Sequence, residues 1–212
     1  MQPCQKLFCV LWLNIFLLPG LLHAEEWSFS VWLDKQNIGT HQFSLQDQRL
    51  SSRASFKVKV LFINAYRYQH QADETWQGEC LQSLQAHTEE NKEITDVSGR
   101  LSNGQFVVSK NKSMQTLPAC VMTFAYWNPK ILQQSKLLNP QNAEYLDVTV
   151  ADEGTQSLNV RGADMQTHQY RLTGRFQGKI KLNITLWYDE QQRWVGLKSI
   201  TPEGYTITYK LI

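Results

Sequence analysis

Residues 180–188 read IKLNITLWY, and their aliphatic side chains fall on every second position. Ile180, Leu182, Ile184 and Leu186 share one parity, and Tyr188 continues it. Because successive side chains of a β-strand point to opposite faces, this period of two predicts a strand with one apolar face. The stretch is the clearest indication that the chain is a β protein.

The same period recurs along the chain in short runs separated by turn residues. It marks 27–33, 38–45, 56–62, 66–76, 81–89, 93–101, 106–108, 146–150, 158–161, 169–175, 194–200 and 205–211. Turns are indicated at 34–37, 102–104, 152–154 and 202–204. Short strands at this spacing favour a sandwich, a barrel or one large curled sheet. We therefore expect an all-β fold, an antiparallel curled sheet that forms a half-barrel or a barrel-like body.

One segment departs from this period. Residues 118–139 read PACVMTFAYWNPKILQQSKLLN. The apolar positions from Ile131 to Leu138 fit helical spacing, and Asn128-Pro129 supplies an N-cap followed by proline at the first helical position. The spacing predicts one short helix near 128–139, inserted between the strands.

The N-terminus has the pattern of an export signal. Lys6 precedes an apolar stretch from Phe8 to Leu22, and Ala24 stands before Glu25. An apolar core of about 15 residues is shorter than the roughly 20 that span a bilayer. We expect a cleaved signal peptide over 1–24, a periplasmic location and a single β domain over 25–212. An uncleaved N-terminal anchor is the alternative.

The charge balance argues against a nucleic-acid partner. The chain holds 21 basic and 19 acidic residues, and no basic run stands out. Aromatic residues make up 11%, with seven tryptophans. This content is typical of a β protein with a wide apolar face or of one that binds an apolar molecule, and core packing alone also explains it.

Cys80 and Cys120 remain after removal of the predicted signal peptide. Disulfides form and persist in exported proteins, so we expect these two cysteines to be bonded. Two buried thiols or a metal pair are the alternatives. No CxxC or Cys–His spacing surrounds either cysteine, which disfavours a metal site.

Two stretches are candidate ligand-binding regions. Phe124, Tyr126 and Trp127 form the densest aromatic segment, either a lid over an apolar pocket or a plug that closes one end of the sheet. Tyr66, Tyr68 and His70 share one strand face with Glu74. That face could line a polar cavity, or it could be a partly solvated cross-strand face.

The sequence resembles a family of uncharacterised exported bacterial proteins. The resemblance rests on WSFSVWLDKQNIGTHQF (27–43), LFINAYRYQHQADETW (61–76), CVMTFAYWNP (120–129), WVGLKS (194–199) and GYTITYKL (204–211). It covers nearly all of 26–212 and implies export but no activity. In architecture the pattern also resembles exported β families that form curled half-barrels around apolar ligands, although fold alone does not determine function.

No catalytic motif stands out. There is no nucleophile elbow or phosphate-binding glycine loop, and His41, His87 and His168 lack metal-ligand spacing, so we assign no catalytic residue, metal or cofactor. The leading hypothesis is a non-enzymatic periplasmic protein that binds a lipid or another apolar small molecule. An envelope structural or assembly factor that binds a protein partner is the alternative. An enzyme with a Tyr/His/Glu acid–base site comes third.

Overall fold

A computed structural model describes residues 24–60, 63–201 and 203–212. The predicted signal peptide, apart from Ala24, lies outside the described residues. The strands are β1 Glu25–Leu33, β2 Gln36–Gln46, β3 Arg49–Val60, β4 Ile63–Gln77, β5 Cys80–Glu90, β6 Glu93–Ser102, β7 Gln105–Lys110, β8 Ser113–Leu117, β9 Lys136–Leu138, β10 Tyr145–Val160, β11 Ala163–Phe176, β12 Lys179–Tyr188, β13 Trp194–Ile200 and β14 Thr206–Leu211.

All fourteen strands join one antiparallel, curled sheet that does not close. Its order is β8-β7-β6-β5-β4-β3-β2-β1-β14-β13-β12-β11-β10-β9. Every strand pairs with the next in sequence except β8, which does not pair with β9; in addition β1 pairs with β14, with Phe29 opposite Leu211 and Leu33 opposite Ile207. The first and last strands therefore meet in the middle of the sheet, and β8 and β9 form its edges.

The inserted segment, residues 118–135, connects these two edges through the interior. Its Val121 carbonyl accepts from the Leu81 N–H at 2.9 Å, and its Met122 carbonyl accepts from the Leu138 N–H at 2.8 Å. The predicted disulfide is confirmed: Cys80 and Cys120 are bonded with 4.7 Å between their Cα atoms. The segment is thus attached to β5 by a covalent bond and to both β5 and β9 by backbone hydrogen bonds.

The helix predicted near 128–139 is much shorter in the structure. A 3₁₀ helix covers Pro129–Gln133, with the Asn128 side chain accepting from the Lys130 N–H as its cap. Residues 136–138 instead form β9, which pairs with β10. Backbone pairing at the sheet edge outweighs the helical spacing of a few leucines, because spacing is a weak local preference.

The turn predicted at 152–154 is also wrong. β10 runs through it as one strand, and a β-bulge falls between Asp152 and Gly154. Gly154 has a positive φ of 81°, and its N–H donates to the Asp152 carboxylate at 2.8 Å. An Asp-Glu-Gly sequence suits a bulge as well as a turn, since both need a residue with positive φ.

The core fills the concave side of the sheet. Phe29, Leu84, Phe106, Leu172 and Leu186 each expose none of their surface. No helix within the described ranges combines the length and apolar character needed to cross a membrane.

Candidate functional site

The inward face of β4 carries the polar row that the sequence singled out. Tyr68, His70 and Glu74 are 7%, 5% and 4% exposed. The residues between them, such as Gln71 and Asp73, are exposed on the outer face. The row is therefore an interior feature and not a partly solvated face.

Neighbouring strands extend this row into a buried hydrogen-bonded network. His41 of β2 bonds through Nε2 to Ser52 Oγ of β3 at 2.7 Å and through Nδ1 to the Tyr209 hydroxyl of β14 at 3.2 Å. His70 bonds through Nδ1 to Thr88 Oγ1 of β5 at 2.9 Å. Antiparallel register places these residues side by side, since Ala54 of β3 lies opposite both His41 and His70.

Burial keeps both histidines neutral near pH 7. Desolvation, with a smaller contribution from the nearby His70, lowers the pKa of His41 to about 3. Desolvation also lowers the pKa of His70 to about 4, with smaller electrostatic contributions from Arg53 and His87. A neutral imidazole both donates and accepts, which is how each ring can satisfy buried partners.

Glu74 connects the row to the inserted segment. Its Oε2 accepts from Trp76 Nε1 at 3.0 Å and from Thr123 Oγ1 at 3.3 Å. Burial raises the pKa of Glu74 to about 7; the two hydrogen bonds oppose this rise, and the charge of Asp73 adds to it. The carboxyl group is therefore close to half ionised at neutral pH.

The aromatic part of the inserted segment packs against rings of the sheet. The Trp127 ring packs edge to face against the Trp76 ring with 5.6 Å between their centroids, and the centroids of the Tyr126 and Trp194 rings are 5.2 Å apart. The Tyr126 carbonyl accepts from the Tyr188 hydroxyl at 2.8 Å. The indole N–H of Trp127 is buried and has no hydrogen-bond partner among the described residues.

The polar row and the aromatic segment converge on one space, which we call the central cavity, with a volume of about 100 Å³. It is lined by His41, Phe43, Leu50, Ser52, His70, Ala72, Glu74, Thr123, Phe124, Tyr126, Trp127, Asn139, Pro140, Gln141 and Leu182. Gln141 is exposed, so the lining reaches the surface at the loop between β9 and β10.

Four of the six candidate ligand-binding residues line this cavity: His70, Phe124, Tyr126 and Trp127. The other two stand behind it. The Tyr68 ring stacks on the His70 ring with 6.3 Å between their centroids, and the Tyr66 ring stacks on the Tyr68 ring with 6.5 Å between theirs. The structure thus brings together parts of β4 and of the inserted segment that lie about fifty residues apart in sequence.

His41 and Ser52 were not predicted from the sequence as members of the site. Each shares its strand parity with an apolar residue that faces inward, His41 with Phe43 and Ser52 with Leu50. That parity was the available signal, but it does not show which polar residues of different hairpins meet. The other two histidines lie elsewhere: His87 bonds to Asp96 and His168 to Asp152, each at 2.6 Å in an exposed pair.

Nearly the whole β domain matches one family model. The model is that of a domain of unknown function, DUF6134, and the match covers residues 29–212. The chain belongs to this family. No curated protein matches the chain. The resemblance proposed from the sequence is thereby confirmed in extent, as a family without an assigned activity.

This DUF6134 protein also shares its fold with a solved structure. A beta-barrel-like protein of domain of unknown function DUF1849 from Brucella abortus has a TM-score of 0.66 and 12% sequence identity. The match covers 91% of this chain and 96% of that one. At this identity the likeness shows the fold alone, and it confirms the expected barrel-like β architecture.

The DUF6134 protein has a second, larger groove of about 610 Å³ beside the 3₁₀ helix. Lys130, Gln166, His168 and Glu190 contribute to its lining. The groove is polar, and the carboxylate of Asp152 already pairs with His168. The central cavity is the stronger candidate because its polar groups are desolvated and one of them has no partner.

The Ser52–His41 pair has the geometry of a nucleophile beside a base, since a neutral imidazole can accept a hydroxyl proton. The same bond also satisfies two buried polar groups, which is the usual state of such groups in protein interiors. Because the bond already has this structural role, the pair does not require a chemical step. The two groups can instead line a site for a polar ligand.

Proposed function

We propose that this DUF6134 protein binds a small amphipathic molecule, or one end of a longer apolar molecule such as a lipid, in the central cavity. The observation that carries the proposal is the convergence of the rings of the inserted segment and the buried polar row on one cavity. Apolar walls with a few convergent polar groups are the usual composition of small-molecule sites.

The size of the cavity limits what can occupy it. Pockets for drug-sized ligands measure about 300–1,000 Å³. A space of about 100 Å³ holds about three water molecules at roughly 30 Å³ each. A ligand of a few non-hydrogen atoms therefore fits whole, whereas a lipid places only one end inside.

The unpaired N–H of Trp127 supports a ligand that carries an oxygen atom. A buried donor without a partner costs about 1–3 kcal/mol. A hydroxyl, carbonyl or carboxylate oxygen held against Trp127 would remove that cost. This makes a purely hydrocarbon ligand the weaker choice for the site.

We place this function in the periplasm. The bonded Cys80–Cys120 pair supports an oxidising compartment, because cytosolic thiols are normally kept reduced. The export signal expected over 1–24 supports the same location.

A second candidate function is the capture of a protein partner at β8. This strand is a sheet edge, and its residues Ser113 to Thr116 are exposed, with Met114 at 75%. Unpaired edge strands can accept an added strand from another chain. Replacing Met114 with Lys should abolish such a complex and leave ligand binding in the cavity intact.

The main proposal is tested by NMR of the Trp127 indole N–H, using n-hexanol as the probe. We expect saturable shifts of this signal and at least a fivefold weaker affinity in Trp127→Phe, which keeps a ring and removes the donor. The free energy of unfolding should fall by no more than about 1–2 kcal/mol, because the loss of ring volume is partly offset by removal of a buried donor that has no partner.

Trp187→Phe is the matched control, since Trp187 lies on the outer face and its N–H donates to Gln169 at 3.2 Å. Native mass spectrometry of protein from the periplasmic fraction should also find a bound small molecule. Absence of both saturable hexanol binding and a copurified ligand would overturn the proposal.

A further inference from the structure

The central cavity contains one acid and no strong base. Among its described lining residues, Glu74 is the only Asp or Glu, and none is Lys or Arg. The two histidines that line it, His41 and His70, are neutral near pH 7 because burial lowers the pKa of each. Any net charge of the cavity at neutral pH is therefore negative and belongs to Glu74.

Glu74 also has spare hydrogen-bonding capacity. Both of its donors, Trp76 and Thr123, bond to Oε2, and no described residue donates to Oε1. No ion pair within the described residues includes it. Buried carboxylates are normally paired with a cation, because desolvation of an isolated charge is costly. A cation beside Oε1 would offset the cost of ionising this buried carboxyl group.

Aromatic rings surround the space where that cation would lie. Phe43, Phe124, Tyr126 and Trp127 line the cavity together with Glu74. Trp76, which donates to Glu74, meets Trp127 edge to face. The negative faces of such rings attract ammonium groups, and aromatic cages are the established means of binding them.

We propose that the central cavity binds an alkylammonium group, held by the Glu74 carboxylate and by the rings of the inserted segment. This inference rests on the proposed function and names the chemistry of its ligand. Together with the oxygen that suits Trp127, it points to an amino alcohol. A free amino alcohol and the ethanolamine head group of a phospholipid share the alkylammonium group and an oxygen atom two carbons away from it, which is a hydroxyl in the first and a phosphate ester in the second.

Ligand binding should then depend on pH in a specific way. An ammonium group favours the ionised carboxyl, so binding lowers the pKa of Glu74 from about 7 and releases a proton. The groups that face Glu74 or adjoin it are His41, His70, Tyr126 and Asp73. The histidines titrate far below pH 6, and burial raises the pKa of Tyr126 well above its usual range. Between pH 6 and 8, Glu74 alone should govern the affinity of the cavity.

The test compares ethanolamine with propan-1-ol, which has a methyl group in place of the ammonium. By NMR titration of the full mature chain, ethanolamine should bind at least tenfold more tightly at pH 8. Its affinity should rise about tenfold from pH 6 to pH 8, and that of propan-1-ol should not change. Glu74→Gln keeps an acceptor for Trp76 and Thr123, and it should remove the preference. Glu79→Gln, an exposed site, is the control and should keep it.

Further measurements separate the outcomes. Binding to vesicles with phosphatidylethanolamine, and not to phosphatidylglycerol vesicles, would assign the ammonium to a lipid head group; ethanolamine binding without vesicle binding would assign it to a free amine. If Glu74→Gln does not fold, carboxyl-carbon NMR of wild-type Glu74 replaces it, and its pKa should fall when ethanolamine binds. An unchanged pKa, or ethanolamine binding no tighter than propan-1-ol, overturns the inference. If n-hexanol binds in that case, the proposed function still stands.

Discussion

β4 and β12 both lie away from the edges of the sheet and face the same interior, yet they present different kinds of side chain to it. β12 presents Ile184, Leu186 and Tyr188 to the core, and these residues pack as hydrophobic side chains. β4 presents His70 and Glu74 at a similar depth; His70 is hydrogen-bonded to Thr88, and Glu74 accepts two hydrogen bonds on Oε2 and none on Oε1 from the described residues. One half of the sheet is thus stabilised mainly by apolar burial, and the other contains a desolvated polar site closed by the inserted segment.

The largest expected effect concerns the bond that ties the inserted segment to the polar half. Replacing both Cys80 and Cys120 with Ala should lower the free energy of unfolding by about 4 kcal/mol, because the bond closes a loop of 40 residues in the unfolded chain. Denaturant unfolding measures this loss. Reduced wild type should match the double variant, and equal stability of the oxidised and reduced forms would contradict the expectation.

The apolar half should respond to loss of volume. Leu186→Ala should lower the free energy of unfolding by roughly 3–4 kcal/mol, because Leu186 is fully buried and the change leaves a cavity. Ile180→Ala on the same strand is the control: Ile180 is 61% exposed, and we expect a loss of less than about 0.5 kcal/mol. Similar losses at both positions would mean that β12 does not face the core as described.

The polar half should instead respond to pH. His70 has a pKa of about 4 in the folded chain against an ordinary 6.5, so the unfolded chain binds the proton first as the pH falls. The contribution of His70 to the free energy of unfolding is therefore fully present above pH 6.5. About 3 kcal/mol of it is lost as the pH falls from 6.5 to 4.

His70→Gln should remove this share of the acid sensitivity, and unfolding midpoints between pH 4 and 7 measure it. The variant retains two other contributions: a loss of the same sign from His41, and an opposite one from Glu74, whose raised pKa makes the folded chain bind the proton first as the pH falls. Gln71→Ala, which changes an exposed side chain without a titratable group on the same strand, is the control and should leave the profile unchanged. An unaltered acid limb in His70→Gln would show that the ring is protonated or solvated in the folded state.

Period-two alternation predicted most of the strands because it reflects a local property, the alternating direction of side chains. It was less informative where local patterns are ambiguous. Asp152-Glu153-Gly154 suits both a turn and a bulge, and residues 128–139 carry helical spacing although most of them form a short 3₁₀ helix and a strand. In both places the pairing of distant strands decided between the local options.

The candidate site was predicted only in pieces. His70 and the Phe124–Trp127 rings were recognised separately, and the histidine row was not, because the contact of His41 with Ser52 depends on hairpin register. Whether a polar residue on an alternating strand is solvated or buried depends on how far the sheet curls over it. No single strand contains that information.

The sequence by itself determined the class of fold, the facing of the strands and the two cysteines available for a bond, since these follow from side-chain period and composition. Only the tertiary structure decided that β1 pairs with β14, that the inserted segment runs through the interior, and that Glu74 and Trp127 share a cavity. The physical reason is that these contacts join residues that lie from tens to nearly two hundred positions apart in sequence. Strand register and the packing of the interior determine them, and no local preference of the chain does.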